Sequence, residues 1–157
     1  MRPFPLSHGQ KEKTKLMLKI LLVDWARAEI TAKPIRQEVF IEEQLVPEAE
    51  EWGDGYDDEM ALHLIASLDG NLIATARLMP DGTVGRMAVL KSYRNQGAGS
   101  AMLAKLIETA KNNKFEVLKL NAQRTAESFY AKHGFTSLGD EFMDAGIPHI
   151  EMRLDLS

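Results

Sequence analysis

The period of the apolar positions changes several times along the chain, and each change marks an element. Residues 17–23 (Met-Leu-Lys-Ile-Leu-Leu-Val) form a short apolar run of strand length. Ala26, Ile30, Ile35, Val39 and Phe40 then recur at roughly helical spacing across residues 25–43. Pro34 has no backbone N–H to give, so the pattern predicts two helical pieces that part near it. Periodicity lapses over residues 46–59, where Pro47, Gly53, Gly55 and a row of acids predict a solvated loop. The acids miss the EF-hand register, since no glutamate closes the loop where calcium would need it. Two β-prone runs, 61–68 and 72–79, flank Asp69-Gly70-Asn71, a hairpin signal, and Asp81-Gly82 turns the chain into a third run at 83–90. Helical spacing returns at Met102, Leu103, Leu106, Ile107 and Ala110, giving a helix over about 97–113. A strand at 116–121 comes next, then a helix from about Thr125 to Lys132 that Gly134 stops, then strands near 135–139 and 148–154. The order predicts an α/β fold: a mixed, mostly antiparallel central sheet of six to seven strands with helices on both faces.

Length and composition narrow the classes. A chain of 157 residues is one domain of ordinary size. Residues 1–15, with Pro3, Pro5, Gly9 and the Lys11-Glu12-Lys13 cluster, read as a flexible lead, which leaves 16–157 as the single domain. That lead lacks the apolar core of a secretion signal. The longest apolar candidate, Leu16–Trp25, is too short for a membrane span and carries Lys19 and Asp24. Hydrophobic residues at 45% and charged residues at 27% are the balance of a globular protein. A net charge of −4 speaks against nucleic acid as a partner, and no membrane partner is expected either. The absence of cysteine excludes a thiol nucleophile, a disulfide scaffold and a Cys-based zinc site, and it suits a reducing cytoplasm. No metal is expected.

The chemistry concentrates in Arg94-Asn95-Gln96-Gly97-Ala98-Gly99-Ser100, which stands between a strand and a helix. A helix start gathers free amides and the positive end of the helix dipole, so phosphate binds there. Gly97 and Gly99 allow the backbone to approach such a ligand closely. The run is not a Walker A loop, for no Lys-Ser or Lys-Thr pair follows the last glycine. Two glycines also fall short of the three in a dinucleotide fingerprint.

The spacing Arg-x-x-Gly-x-Gly after Met87-Ala88-Val89 resembles the acetyl-CoA pyrophosphate loop of the GNAT superfamily of N-acetyltransferases. Ser128-Phe129-Tyr130-Ala131-Lys132-His133-Gly134-Phe135 is similar to the Phe-Tyr-x-x-x-Gly-Phe signature of those enzymes, and Leu118–Gln123 stands where their fifth strand would be. Val39–Gln44, Ala61–Leu64 and Gly146–Met152 resemble the ElaA-like branch. The likeness spans residues 36–153 and implies an acyl-CoA N-acyltransferase-like fold. It implies acetyl transfer from acetyl-CoA, the cosubstrate, to a primary amine by direct attack in a ternary complex.

By position, Met87, Ala88 and Val89 would take the pantetheine arm between two parted strands. Arg94, Asn95, Gln96, Gly97, Ala98, Gly99 and Ser100 would hold the pyrophosphate, and Asn121, Gln123 and Tyr130 would complete the cofactor side. A backbone amide near Ala88 would polarise the thioester carbonyl. Tyr130 would protonate the leaving thiolate, a role that suits a phenol whose free pKa is ~10. The base is open. Asn121 stands where relatives often place a glutamate and cannot take a proton, leaving His63, His149 and Glu43, directly or through water. Arg77 and Arg86 either bind an anionic acceptor or pair with the acids of the 48–59 loop. Trp25 and Trp52 carry no motif. The acceptor class is a small-molecule amine or a peptide amine. Two other readings stand beside it: an aminosugar-phosphate N-acetyltransferase, and a non-catalytic acyl-CoA-binding or sensing module. The resemblance also implies a homodimer paired through the last strands.

Overall fold

The computed structural model describes residues 17–157, so the lead at 1–15 lies outside the described residues. β1 (Leu18–Val23) leads into α1 (Trp25–Arg36), whose start is capped by the Asp24 carboxylate accepting from the Arg27 amide at 3.2 Å. β2 (Leu62–Leu68), β3 (Asn71–Leu78) and β4 (Val84–Val89) form the meander that the hairpin signals predict. Asp69 and Gly70 both take positive φ, 50° and 86°, as the tight turn between β2 and β3 requires. After β4 come α4 (Ala98–Asn112), β5 (Val117–Gln123), α5 (Glu127–Lys132), β6 (Thr136–Asp144) and β7 (Ile147–Asp155). The last two strands run longer than their apolar stretches suggest, because they pair with each other around an Ala145-Gly146 turn.

The seven strands lie in two groups, β1-β2-β3-β4 and β5-β7-β6, antiparallel within each. β4 and β5 run parallel and meet at one end, where Thr83 bridges Lys119 and the Lys119 amide donates to Gly82 O at 3.0 Å. Beyond that contact they part. A parallel edge opened in this way leaves main-chain groups without strand partners.

Strand alternation sends β2 into two layers of packing. Leu64 and Ala66 join the main core with Met102, Leu103 and Leu106 of α4, while Ile65 packs on Ala28 and Ala32 of α1. The two long helices therefore cover opposite faces of the first sheet. β2 is buried on both sides, which explains why residues 61–68 run apolar rather than strictly alternating.

Two expectations need correction. The chain does not break at Pro34: α1 runs through it, and only after Arg36 does the helix widen into a π-helical segment, Gln37–Glu43. The Gln37 amide is shared between Lys33 O and Pro34 O, which marks the point where the pitch changes. Residues 46–59 are not a plain solvated loop, since they hold α2 (Glu48–Trp52) and α3 (Tyr56–Met60), with Glu51 and Asp58 buried. Buried Arg36 explains this. Its Nε donates to Glu51 Oε2 at 2.6 Å and its Nη1 to Asp58 Oδ1 at 2.7 Å. Arg77 donates to the same Asp58 oxygen at 3.0 Å. The Arg36 guanidinium lies between the rings of Trp25 and Trp52, 5.7 and 4.9 Å from their centroids, which gives both tryptophans the structural role their sequence context did not announce.

Candidate active site

Where β4 and β5 part, a cavity of about 530 Å³ opens. Met87, Ala88 and Val89 line one wall, and Arg94, Asn95, Gly97, Ala98, Gly99 and Ser100 form its end. Tyr130 and Phe129 of α5 close the opposite side. The structure thus brings together most of the residues expected on the cofactor side; Gln96, Asn121 and Gln123 do not line the cavity.

Local backbone geometry prepares this wall for an anion and an extended chain. Asn95 (φ 63°) and Gly97 (φ 88°) take left-handed conformations, turning successive amides into one concave loop. Among the described residues no backbone carbonyl accepts from the amides of Asn95 to Ser100. Those free donors sit at the start of a fifteen-residue helix. Gly99 packs beside Phe129, where even an added Cβ would make only ordinary contact with the ring at 3.5 Å. On β4, the register with β3 skips at a bulge where Arg86 takes φ 49°. The Leu90 amide donates to Ile73 O across β3 at 2.9 Å, so strand alternation turns the Val89 amide to the open side. The donor facing the cleft is therefore Val89, one residue beyond Ala88.

The Arg94 side chain does not point free into this space. It donates from Nη1 and Nη2 to the two Glu43 oxygens at 2.6 and 2.7 Å, and from Nε to Val89 O at 2.9 Å. The hydrogen bonds and charge of Arg94 hold the Glu43 carboxyl below its usual pKa, and Glu43 lines neither main cavity. It is poorly suited to be a base. The Tyr130 hydroxyl contacts Met87 Sδ at 3.9 Å, and burial pushes its pKa up to about 12. The phenol therefore stays protonated throughout the physiological range. The Ser100 hydroxyl shares a 2.9 Å hydrogen bond with His133 Nε2.

A second cavity of about 320 Å³ adjoins the first and is lined by Phe40, Glu50, Arg86, Asp144 and His149 among others. Gln44 lines both cavities, and its Oε1 accepts from Gln123 Nε2 at 2.8 Å. Gln123 therefore neither caps the following turn nor lines the first cavity. His149 lies in the second cavity, stacked on Phe142. Its Nδ1 is 2.6 Å from Ile147 O, and since a carbonyl only accepts, Nδ1 carries a proton and in the neutral ring the lone pair falls to Nε2.

The structure does not bring His63 to either cavity. It is buried beside Trp25, donates from Nε2 to Asp58 O at 2.8 Å, and has its pKa lowered chiefly by desolvation. The residue missing from the sequence reasoning is Gln44. Its only signal was its place at the end of the Val39–Gln44 stretch. Among the described residues no cluster suited to a metal ion occurs, and no helix is long and apolar enough to cross a membrane.

Residues 23–156 match the model of the acetyltransferase (GNAT) domain family. The chain is 39% identical over 125 residues to "uncharacterized N-acetyltransferase YjcF" of Bacillus subtilis, covering 77% of this chain and 88% of that one. An acyl-CoA N-acyltransferase from Pseudomonas aeruginosa superposes with a TM-score of 0.76 at 27% identity, covering 88% of this chain and 99% of that structure. Escherichia coli ElaA superposes with a TM-score of 0.78 at 23% identity, over 88% of this chain and all of that one, a likeness of fold.

Proposed function

The chain belongs to the GNAT acetyltransferase family, and from that premise we propose that it transfers an acetyl group from acetyl-CoA to the primary amine of a small acceptor. The observation that carries this reading is the opening between β4 and β5, flanked by a loop whose amides from Asn95 to Ser100 find no acceptor among the described residues. Those amides fit a diphosphate, and the open edge of β4 fits an extended amide-bearing arm laid beside it as an added strand. Acetyl-CoA would supply the activated acyl group.

The residues around it divide the remaining work. The Val89 amide faces the cleft and would hydrogen-bond the thioester oxygen, gaining strength as charge grows there. His149, whose neutral ring is oriented with the lone pair on Nε2, would take the proton of the amine from the second cavity. Tyr130, kept protonated by burial, would deliver a proton to the departing sulfur in the same desolvated space. Placing amine and thioester in adjoining cavities supplies most of the acceleration, for which well-oriented reactants gain ~7–11 kcal/mol.

The test is direct. Titration of the protein with CoA should show one site, and acetyl-CoA with a panel of small amines should release free thiol above the background of hydrolysis. CoA binding without thiol release for any amine would leave a binding module. Absence of both would end the reading.

A further inference from the structure

The second cavity says something about the acceptor itself. We infer that Arg86 anchors an anionic group of the acceptor, so that the preferred substrate is a small amine carrying a carboxylate or phosphate. The inference rests on the transferase reading only in taking this cavity for the acceptor site.

Three guanidiniums, Arg36, Arg77 and Arg86, face two buried carboxylates, Glu51 and Asp58, which leaves the cluster with one positive charge in excess. Of the three, only Arg86 lines the second cavity, so that is where the excess is presented to a ligand. Arg36 holds both carboxylates at 2.6 and 2.7 Å, and Arg77 holds Asp58 at 3.0 Å with its own Nε buried without a partner, away from the second cavity. Arg86 has Glu51 Oε1 at 3.3 Å from Nε, out of line for a hydrogen bond, and Nε is left buried without a partner. Its Nη2 reaches Glu50 O at a long 3.3 Å. Among the described residues its Nη1 has no acceptor. Guanidinium donors in a fixed fork suit carboxylate and phosphate. Desolvation disfavours the charge on Arg86, and a bound anion would relieve that penalty.

The placement is specific. Arg86 sits at the β4 bulge with φ 49°, a conformation that a non-glycine residue adopts at a cost, and the bulge is what re-aims a side chain off the regular strand. The same cavity holds His149 and the exposed carboxylates of Glu50 and Asp144. A dipolar acceptor matches this wall, with its anion on Arg86 and its ammonium drawn by the acids. About 320 Å³ of space suits a small molecule.

The experiment compares matched pairs, ethanolamine with phosphoethanolamine and 1-aminopentane with 6-aminohexanoate, by thiol release from acetyl-CoA. The same ligands are titrated calorimetrically into the CoA-loaded protein. A charge-assisted contact should raise kcat/KM for the anionic member about tenfold or more. Arg86→Gln should collapse that ratio toward one, and Arg86→Lys should keep part of it; melting curves of both variants show whether each is folded. Equal turnover of the paired amines by the unaltered protein overturns the inference and leaves the transferase reading intact. So does a preference that folded Arg86→Gln retains. If no amine is acetylated but phosphoethanolamine binds and Arg86→Gln abolishes that binding, the anion site stands and the transferase reading falls. If there is neither turnover nor binding, both fall.

Discussion

Gly82 is the pivot of the cleft, and replacing it with alanine tests whether the opening between β4 and β5 is set there. Its φ of 91° is in the left-handed region, and a Cβ built on it would stand 2.4 Å from the carbonyl oxygen of Val117. Real Cβ atoms do not approach within 3.0 Å, so the two segments must separate by about 0.6 Å or more, and the obstacle is backbone rather than a flexible side chain. The left-handed conformation costs a residue with a Cβ ~1 kcal/mol or slightly more. Weakening the Lys119 to Gly82 hydrogen bond adds ~1 kcal/mol. With the clash, Gly82→Ala should lose ~2–4 kcal/mol. Gly70→Ala supplies the reference, because Gly70 has φ 86° but nothing within 4 Å of the added Cβ, so conformational cost acts there alone. For a domain of this size each kcal/mol moves Tm by ~2–4 °C. The melting temperature of Gly82→Ala should therefore fall several degrees below that of Gly70→Ala. Displacing the point where the strands meet should also weaken CoA binding severalfold in calorimetric titration, while Gly70→Ala binds normally. Equal melting temperatures for the two variants would refute the clash. A large loss of stability with unchanged CoA affinity would show that the pivot does not shape the cleft.

Three further outcomes are expected. Tyr130→Phe should lower kcat ~10²-fold with CoA affinity nearly unchanged, and a rate loss below about threefold would remove the hydroxyl from proton transfer. His149→Gln should lower kcat by a similar factor; an unchanged rate would assign the base to water or another group. His63 has a folded pKa below its unfolded value of ~6.5, so between the two values the unfolded chain binds more protons and stability rises with pH. Melting temperature should therefore decline as pH falls from about 6.5 toward the folded pKa, and His63→Gln should flatten that slope, whereas equal slopes in the two proteins would exclude His63 as its source.

The glycine-loop half of the candidate site was legible because its signals are local. A glycine pair between a strand and a helix, and an aromatic pair four residues before Gly134, lie within single short windows. What could not be read depends on pairing across distance. Pairing of Arg77 and Arg86 with acids of the 48–59 loop was foreseeable and is observed, but Arg36 takes its carboxylates from positions 15 and 22 residues away and carried no such signal. Gln44 and Gln123 are 79 positions apart and carry no mark of their contact. The two histidines differ in the same way. Both sit on strands with matching likeness to one branch, yet register and packing bury His63 against Trp25 and leave His149 in a cavity. Pro34 misled because a proline removes one donor, and a helix anchored at Arg36 tolerates the loss.

The π-helical segment explains why the two cavities adjoin. Its wide turns show in Gln44 N donating to Val39 O at 3.1 Å, five residues back, and such turns recur at functional sites because they re-aim side chains. One end is fixed by Arg36 within the buried ion cluster, the other by Glu43 through Arg94 to the end of β4. Between these anchors Val39 is directed at the first cavity, and just past them Gln44 reaches across to Gln123 on β5. The segment is thus tied to both strands that flank the opening. A bond between two neutral amides is worth ~1 kcal/mol net, small enough for arriving substrates to displace. The ion pairs that hold the segment are buried or bidentate, and breaking a buried pair costs ~3–5 kcal/mol. Substrates entering from the two sides would therefore exchange the weak amide contact at Gln44 while the anchored segment keeps its place.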